Sequence, residues 1–274
     1  MGVINLTPNS FSDGHENLTL DTVFEKIQSV LEWADILDFG AESTAPQSSK
    51  ISAEEEFTRF ERLLLPLVHR IDFKGKVLSI DTYKIDVMKE VKLALKGVDC
   101  KVMFNDVSGD VSDELLSFLS INSDLSYVVC DNLAPTRVQT GDHMDFLFKG
   151  ENASYFQLFL TNMNKRLEKL KALKTEIYVD PAFGFSKSKE QNLYLLSRFS
   201  ELHQEFGKPL VMGISRKSFL RPAGMDKSSS EHHGFLDQVA MNFHRGELGK
   251  STLFRVHDPT PFSAYAYYSE LAKV

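Results

Sequence analysis

Residues able to bind or move charge stand directly behind short apolar runs in this chain. Asn5 follows Val3-Ile4, Asp81 follows Leu78-Ser79-Ile80, and Asn105-Asp106 follow Val102-Met103-Phe104. Asp180 follows Ile177-Tyr178-Val179, while Asp38 with Glu42-Ser43-Thr44, and Asp131-Asn132, keep the same placement. The cations come late: Gly213-Ile214-Ser215-Arg216-Lys217-Ser218 after Leu210-Val211-Met212, then Arg255 and His257-Asp258 after Leu253-Phe254. Carboxylates and carboxamides such as Asp81, Asn105 and Asp180 match the N–H groups and ring acceptors of a flat heterocycle. Arg216, Lys217, Arg255 and His257 suit phosphate or carboxylate, which arginine can hold with two hydrogen bonds. The combined chemistry points to a small heteroaromatic substrate carrying a phosphate group.

Asp, Asn and Ser also follow strands as turn residues and helix caps, so no single position decides the matter. Their recurrence behind every apolar run does. Strands are expected at 1–6, 35–39, 76–80, 101–104, 125–130, 176–179, 209–212 and 252–256. Helical periodicity fills 20–33, 53–69, 85–96, 113–121, 152–173, 190–206, 235–245 and 261–271. Thr19 and Ser52 are placed to cap the first two helices, the latter with Glu55 at capping-box spacing. Eight strand–helix units predict an α/β fold, a single (β/α)8 TIM barrel spanning 1–274. The competing open doubly wound sheet lacks its glycine fingerprint after the first strand. In a barrel the strand ends meet at one mouth, and phosphate sites tend to form behind strands seven and eight. The polar stretch 222–234, with Ser228-Ser229-Ser230, reads as a loop there, and His232-His233 as solvated residues within it.

Composition narrows the classes further. With 274 residues, 42% hydrophobic and 25% charged, the chain has the make-up of an ordinary globular protein. No apolar run approaches the roughly 20 residues of a membrane helix, and no secretory pattern opens the sequence. A net charge of −7 argues against a general nucleic-acid binder. Cys100 and Cys130 form neither a CxxC pair nor a disulfide framework, so a reducing cytoplasmic setting is expected. Cys130 reads as a buried, inert thiol. Zinc-type His spacing and a Gly-x-Ser-x-Gly elbow are both missing from the sequence.

The motifs also carry a resemblance. Asn5-Leu6-Thr7-Pro8-Asn9-Ser10-Phe11-Ser12-Asp13-Gly14, Asp38-Phe39-Gly40-Ala41-Glu42-Ser43-Thr44, Ser79-Ile80-Asp81-Thr82-Tyr83-Lys84 and Asn105-Asp106-Val107-Ser108-Gly109 resemble the first four motifs of dihydropteroate synthases. Asp180-Pro181-Ala182-Phe183-Gly184-Phe185-Ser186-Lys187, the Gly213–Ser218 stretch and Arg255-Val256-His257-Asp258 complete the series in the family's order. The resemblance implies a (β/α)8 barrel that joins 6-hydroxymethyl-7,8-dihydropterin pyrophosphate to p-aminobenzoate, the reaction sulfonamides block. It implies that Asp81, Asn105, Asp180 and Lys217 hold the pterin. Arg255 and His257 would grip the pyrophosphate with Arg216 nearby, and Asn5 would bind Mg²⁺. Phe185 and Ser218 would line the p-aminobenzoate site, with Thr44 close to it, and Gly184 would be a further substrate-binding residue. A homodimer is the common family state.

Several positions depart from the family pattern. Asn9 stands for a usual Asp, and Ala45-Pro46-Gln47 for Arg-Pro-Gly. Cys130-Asp131-Asn132 replaces Met-His-x, Gln191 replaces a His, and Ala182 and Ser186 replace glycines. A pterin-binding paralogue without synthase activity, or a methyltransferase-type pterin domain, are the alternatives. The cations behind strands seven and eight speak against the latter, since a methyl donor needs no pyrophosphate grip.

Overall fold

The computed structural model describes residues 1–7, 18–44, 48–222 and 230–271. Its strands are β1 (Gly2–Asn5), β2 (Ile36–Gly40), β3 (Val77–Asp81), β4 (Lys101–Asp106), β5 (Ser126–Cys130), β6 (Glu176–Asp180), β7 (Leu210–Met212) and β8 (Thr252–Phe254). They pair in parallel and in sequence order. A bridge between Gly2 and Val256 closes β8 back onto β1, with Val3 N–H donating to the Val256 carbonyl at 2.9 Å. The expected single (β/α)8 barrel is the fold observed.

Helices α1 (Leu20–Leu31), α2 (Ala53–Leu63), α3 (Ile85–Ala94), α4 (Asp113–Ile121) and α5 (Asn152–Leu170) wrap its first half. The wrap continues with α6 (Lys189–Ser197), α7 (Glu201–Phe206), α8 (Ser230–Arg245) and α9 (Pro259–Leu271). Thr19 and Ser52 cap α1 and α2 as expected, each accepting from the N–H three residues on. The Glu55 side chain does not complete a box; it accepts from Arg59 at 2.8 Å instead.

Side chains alternate across a strand, so residues two apart share a face. Outward positions such as Leu37, Phe39, Leu78, Ile80, Phe104, Tyr127 and Val179 are buried beneath the helices. Inside the barrel, Ile36, Met103, Val128 and Val211 pack with Met1, Val77, Tyr178 and Leu253, one residue from each strand or its flank. Two residues further along each strand come Val3, Asp38, Ser79, Asn105, Cys130, Asp180, Gly213 and Arg255. The barrel interior therefore changes from an apolar plug to a largely polar layer within one side-chain step. Asn5, Gly40, Asp81 and Asn105 are register partners across β1–β4 at the rim.

Four expectations about the elements need correction. The second helix ends at Leu63, because Pro66 disfavours helical backbone just before it. The stretch expected at 190–206 is two helices, with Phe199 between them turned into the core against Phe183. The stretch read as a loop to residue 234 is helical from Ser230 on, while 223–229 lie outside the described residues. That helix brings His232 to the face of Leu236 and buries it, contrary to the solvated position expected. A 3₁₀ segment at Arg137–Phe146, after β5, had no counterpart in the expected elements. Cys130 is buried, and burial pushes its thiol well above the ordinary range, as an inert residue requires.

Candidate active site

Asp38 is the hub of the polar layer. It is fully buried and accepts from Ser79 Oγ at 2.6 Å, Asn105 Nδ2 at 3.2 Å and Arg255 Nε at 2.7 Å. Arg255 also donates through Nη2 to Asp81 at 2.6 Å, leaving Nη1 without a protein partner among the described residues. Burial pushes the Asp81 carboxyl up to about 7, with Arg255 pulling against it. Asn105 Oδ1 is buried and accepts nothing from the described residues. Asp180 accepts from the Ala182 N–H through Oδ1 at 2.7 Å, and burial raises its carboxyl above the usual range. The floor thus holds acceptors whose capacity the protein does not use, the arrangement a polar ligand needs.

The cations line the other side of a cavity of about 770 Å³ at the mouth. Ser215 Oγ donates to Asp237 Oδ1 at 2.9 Å, so the Nδ1 atom of His257, 3.1 Å from the same hydroxyl, is the donor of that pair. His257 Nε2 then carries a lone pair while the ring is neutral. Burial first, then Arg216, Arg255 and Lys217, hold this imidazole well below its ordinary pKa. Arg216 is braced by Asp237 at 3.1 Å. Lys217 Nζ makes no hydrogen bond to described residues and lies 5.3 Å from the centre of the Phe185 ring. Burial and Arg255 lower its ammonium to about 8.

Phe185 stands on a loop of unusual backbone. Ala182, Ser186 and Gly184 all have positive φ, at 55°, 51° and 88°. Ala182 and Ser186 are the two positions where the sequence departs from family glycines, and the left-handed backbone explains why glycine is usual there. Buried Lys187 ties the loop together, donating to the carbonyls of Ala182 and Phe185 at 3.0 Å each. It also lies 3.4 Å from the Asp131 carboxylate.

A family comparison decides what this mouth belongs to. The profile of the family described as pterin binding enzyme matches residues 1–244. This chain belongs to that family. Among relatives, the dihydropteroate synthase of Streptococcus pyogenes is 32% identical over 264 residues, covering 94% of this chain and 89% of that protein. A folate synthesis bifunctional protein of Arabidopsis thaliana is 32% identical over 80% of this chain but 46% of its own length. The chain spans about half the length of that protein and of the other bifunctional relatives that head the matches. The dihydropteroate synthase of Thermus thermophilus, solved in complex with 4-aminobenzoate, superposes with a TM-score of 0.75 at 27% identity, covering 99% and 93% of the two chains. That from Coxiella burnetii, in complex with pteroic acid, gives 0.76 at 26%, covering 98% and 91%.

In this pterin-binding enzyme the expected site residues converge to different degrees. Asn5, Thr44, Asp81, Gly184, Phe185, Arg216, Lys217, Ser218, Arg255 and His257 line the one cavity. Asn105 and Asp180 lie in the polar layer beneath it rather than on its wall. Asp106 and Asp131, counted among the strand-end polar groups, turn away. Asp106 binds Arg137 at 2.9 Å and the Tyr127 hydroxyl at 3.0 Å. Asp131 binds Arg166 at 3.0 Å and the Tyr155 hydroxyl at 2.6 Å. Asn9 and Ala45-Pro46-Gln47 lie outside the described residues. Sequence reasoning assigned no role to Asp38 or to the Ser215–Asp237 pair, although the motifs quoted above contain Asp38 and Ser215. It missed His143, which lines the cavity from the 3₁₀ segment and has no motif to announce it.

Proposed function

We propose that this chain is a dihydropteroate synthase, joining 6-hydroxymethyl-7,8-dihydropterin pyrophosphate to p-aminobenzoate. The observation that carries this reading is the pairing of buried acceptors in the polar layer, Asn105 Oδ1, which takes no hydrogen bond from the described residues, and the Asp180 carboxylate, with the cationic wall of the cavity above them. The pterin N–H groups would donate to Asp180 and Asn105, and Lys217 would sit over the ring system. Pyrophosphate would meet Arg255 Nη1, His257 and Arg216. The amine nitrogen bonds to the pterin methylene carbon. The C–O bond to pyrophosphate breaks with its electron pair going to oxygen, and the nitrogen sheds a proton to solvent. Positive charge develops on the pterin methylene and negative charge on the departing oxygen. Asp180 stabilises the first, Arg255 and the protonated imidazole of His257 the second. Holding the two substrates in line supplies much of the remaining barrier reduction.

Asn5 fits the expected role at Mg²⁺. Its amide makes no hydrogen bond to described residues and faces the cavity, and Mg²⁺ takes few protein ligands beside phosphate oxygens and water. Among the described residues no cluster of three His, Cys, Asp or Glu could hold a metal. Bound there, the ion would neutralise charge on the leaving group.

Among the described residues no helix is long and apolar enough to cross a membrane. We read the protein as a cytoplasmic enzyme, and the net charge of −7 argues against nucleic-acid partners. A homodimer would bury the exposed Phe243, Tyr267 and Tyr268 of α8 and α9. The deciding experiment incubates the protein with pterin pyrophosphate, Mg²⁺ and p-aminobenzoate and follows pyrophosphate release and product mass. Dihydropteroate formation, abolished in Asp180→Asn, is expected. Tight pterin binding without product would leave the non-synthase pterin-binding reading.

A further inference from the structure

The 3₁₀ segment Arg137–Phe146 forms a fixed shelf on the mouth. Arg137 anchors its start, donating to Asp106, to the Tyr83 carbonyl at 2.7 Å and to the Asp110 carbonyl at 2.6 Å. Further along, Lys50 pairs with Asp142 and donates to the Val138 carbonyl at 3.2 Å, tying the shelf to the chain that follows β2. Between these anchors sits His143, almost wholly buried yet part of the cavity wall.

Its imidazole is fixed on three sides. The Ser186 N–H lies 3.3 Å from Nδ1, so Nδ1 accepts and Nε2 carries the proton. Nε2 then donates to the Thr44 carbonyl at 3.2 Å. The ring lies against Phe185, with centroids 4.2 Å apart and planes 32° from parallel. The Ser186 hydroxyl adds a bond to the His143 carbonyl at 2.9 Å. One side chain therefore joins the two strand-end segments, behind β2 and behind β6, that border the aromatic end of the cavity. It covers one face of Phe185, and among the described residues Lys217 Nζ lies 5.3 Å from the centre of the same ring, so an incoming ring would enter beside that ammonium.

We propose that His143 is a specificity-determining positioning residue for the aromatic amine. By fixing Thr44 and one face of Phe185 it leaves a single slot, in which the amine's ring lies with its nitrogen toward the pterin carbon. The inference rests on the synthase reading. It needs no contact between His143 and the reacting atoms, so its effect falls on amine binding and on the choice among isomeric amines.

The test compares wild type with His143→Ala, His143→Gln and His143→Phe by steady-state kinetics, using p-aminobenzoate and its meta isomer. His143→Ala is expected to raise the KM for p-aminobenzoate roughly 10-fold, as loss of a hydrogen bond and a ring contact implies. The KM for pterin pyrophosphate should hold, kcat should fall far less, and the preference for para over meta should shrink. Glutamine, which can still donate to Thr44, should recover part of the p-aminobenzoate KM; phenylalanine, which keeps only the ring, should recover less. An active wild type whose p-aminobenzoate KM is unchanged in His143→Ala overturns the inference. So does a rise in both KM values together with a lowered Tm, the mark of a merely structural role. A wild type that forms no product overturns the synthase reading instead, and this inference with it.

Discussion

Lys217→Met should make this protein more stable and nearly inactive. Burial and Arg255 lower the Lys217 ammonium from 10.5 to about 8. At neutral pH that displacement is worth about 3 kcal/mol against the folded state. The side chain is only half-buried, so solvent screens part of this, and the net gain from removing the charge is about 1–2 kcal/mol. Methionine fills similar volume, and its thioether sits well against the Phe185 ring. The pH dependence gives the argument its sharpest check. Between about 8 and 10.5 the unfolded chain holds the Lys217 proton while the folded chain has lost it, so wild-type stability gains with rising pH in that window. The methionine variant has nothing to release there. Its advantage should be complete below about pH 8 and shrink steadily above it. Urea unfolding of both proteins at pH 7 and at about pH 9.5 measures this. A variant less stable than wild type at pH 7, or an advantage independent of pH, refutes the claim that the site holds a destabilised cation. Turnover should fall at least about 100-fold, because the ammonium that holds the pterin in line with the amine is gone.

Other perturbations separate strain, charge and proton uptake. Ala182→Gly should stabilise the protein by up to about 1 kcal/mol, since a left-handed backbone costs alanine more than glycine. Ser186→Gly should not, because the lost bonds to the His143 carbonyl and from the Leu133 N–H offset the relief; thermal melts giving the opposite order would refute this reading of the loop. Asp38→Asn should cost about 3 kcal/mol or more, leaving Arg255 short of a buried partner, and urea midpoints check it. Pyrophosphate should bind more tightly as pH falls from 8 to 6, because His257 is neutral in the empty site and must take up a proton to donate. Calorimetry in two buffers of different ionisation enthalpy should show that uptake in wild type and not in His257→Asn.

The barrel was legible because most strands are largely buried on both faces and read as apolar runs, with a helix of different periodicity behind each. What failed was local. Pro66 ends a helix the periodicity would carry on, and Phe199 turns inward where a continuous helix would keep its own register. His232 looked solvated because its polar neighbours resemble a loop, yet a helix starting at Ser230 places it on the buried face. Strand parity also sorts the polar groups in a way that position after an apolar run does not. Asn105 and Asp106 are adjacent, so they must point to opposite sides of β4. One reaches the polar layer, and the other is left to Arg137.

The same parity explains why the site was legible only as a set of ligand-facing groups. A residue that meets substrate ends a strand and can be found by counting; a residue that holds it in place need not. Arg255 looks in the sequence like a free phosphate grip, yet two of its nitrogens are committed to Asp38 and Asp81. That commitment aims the guanidinium and leaves one nitrogen for a ligand, so the buried carboxylate at Asp38 governs the geometry without lining the cavity. His257 depends likewise on Asp237 and on Ser215, which lies 42 residues earlier in the chain and meets it only through the curl of the barrel. His143 is the extreme case. It comes from a segment between elements, and its contacts reach residues 99 and 43 positions away. Long-range contacts of that kind leave no spacing to read, whereas a strand-end carboxylate announces itself by its neighbours. The catalytic surface is therefore written locally, and its alignment is written in the closure of the sheet.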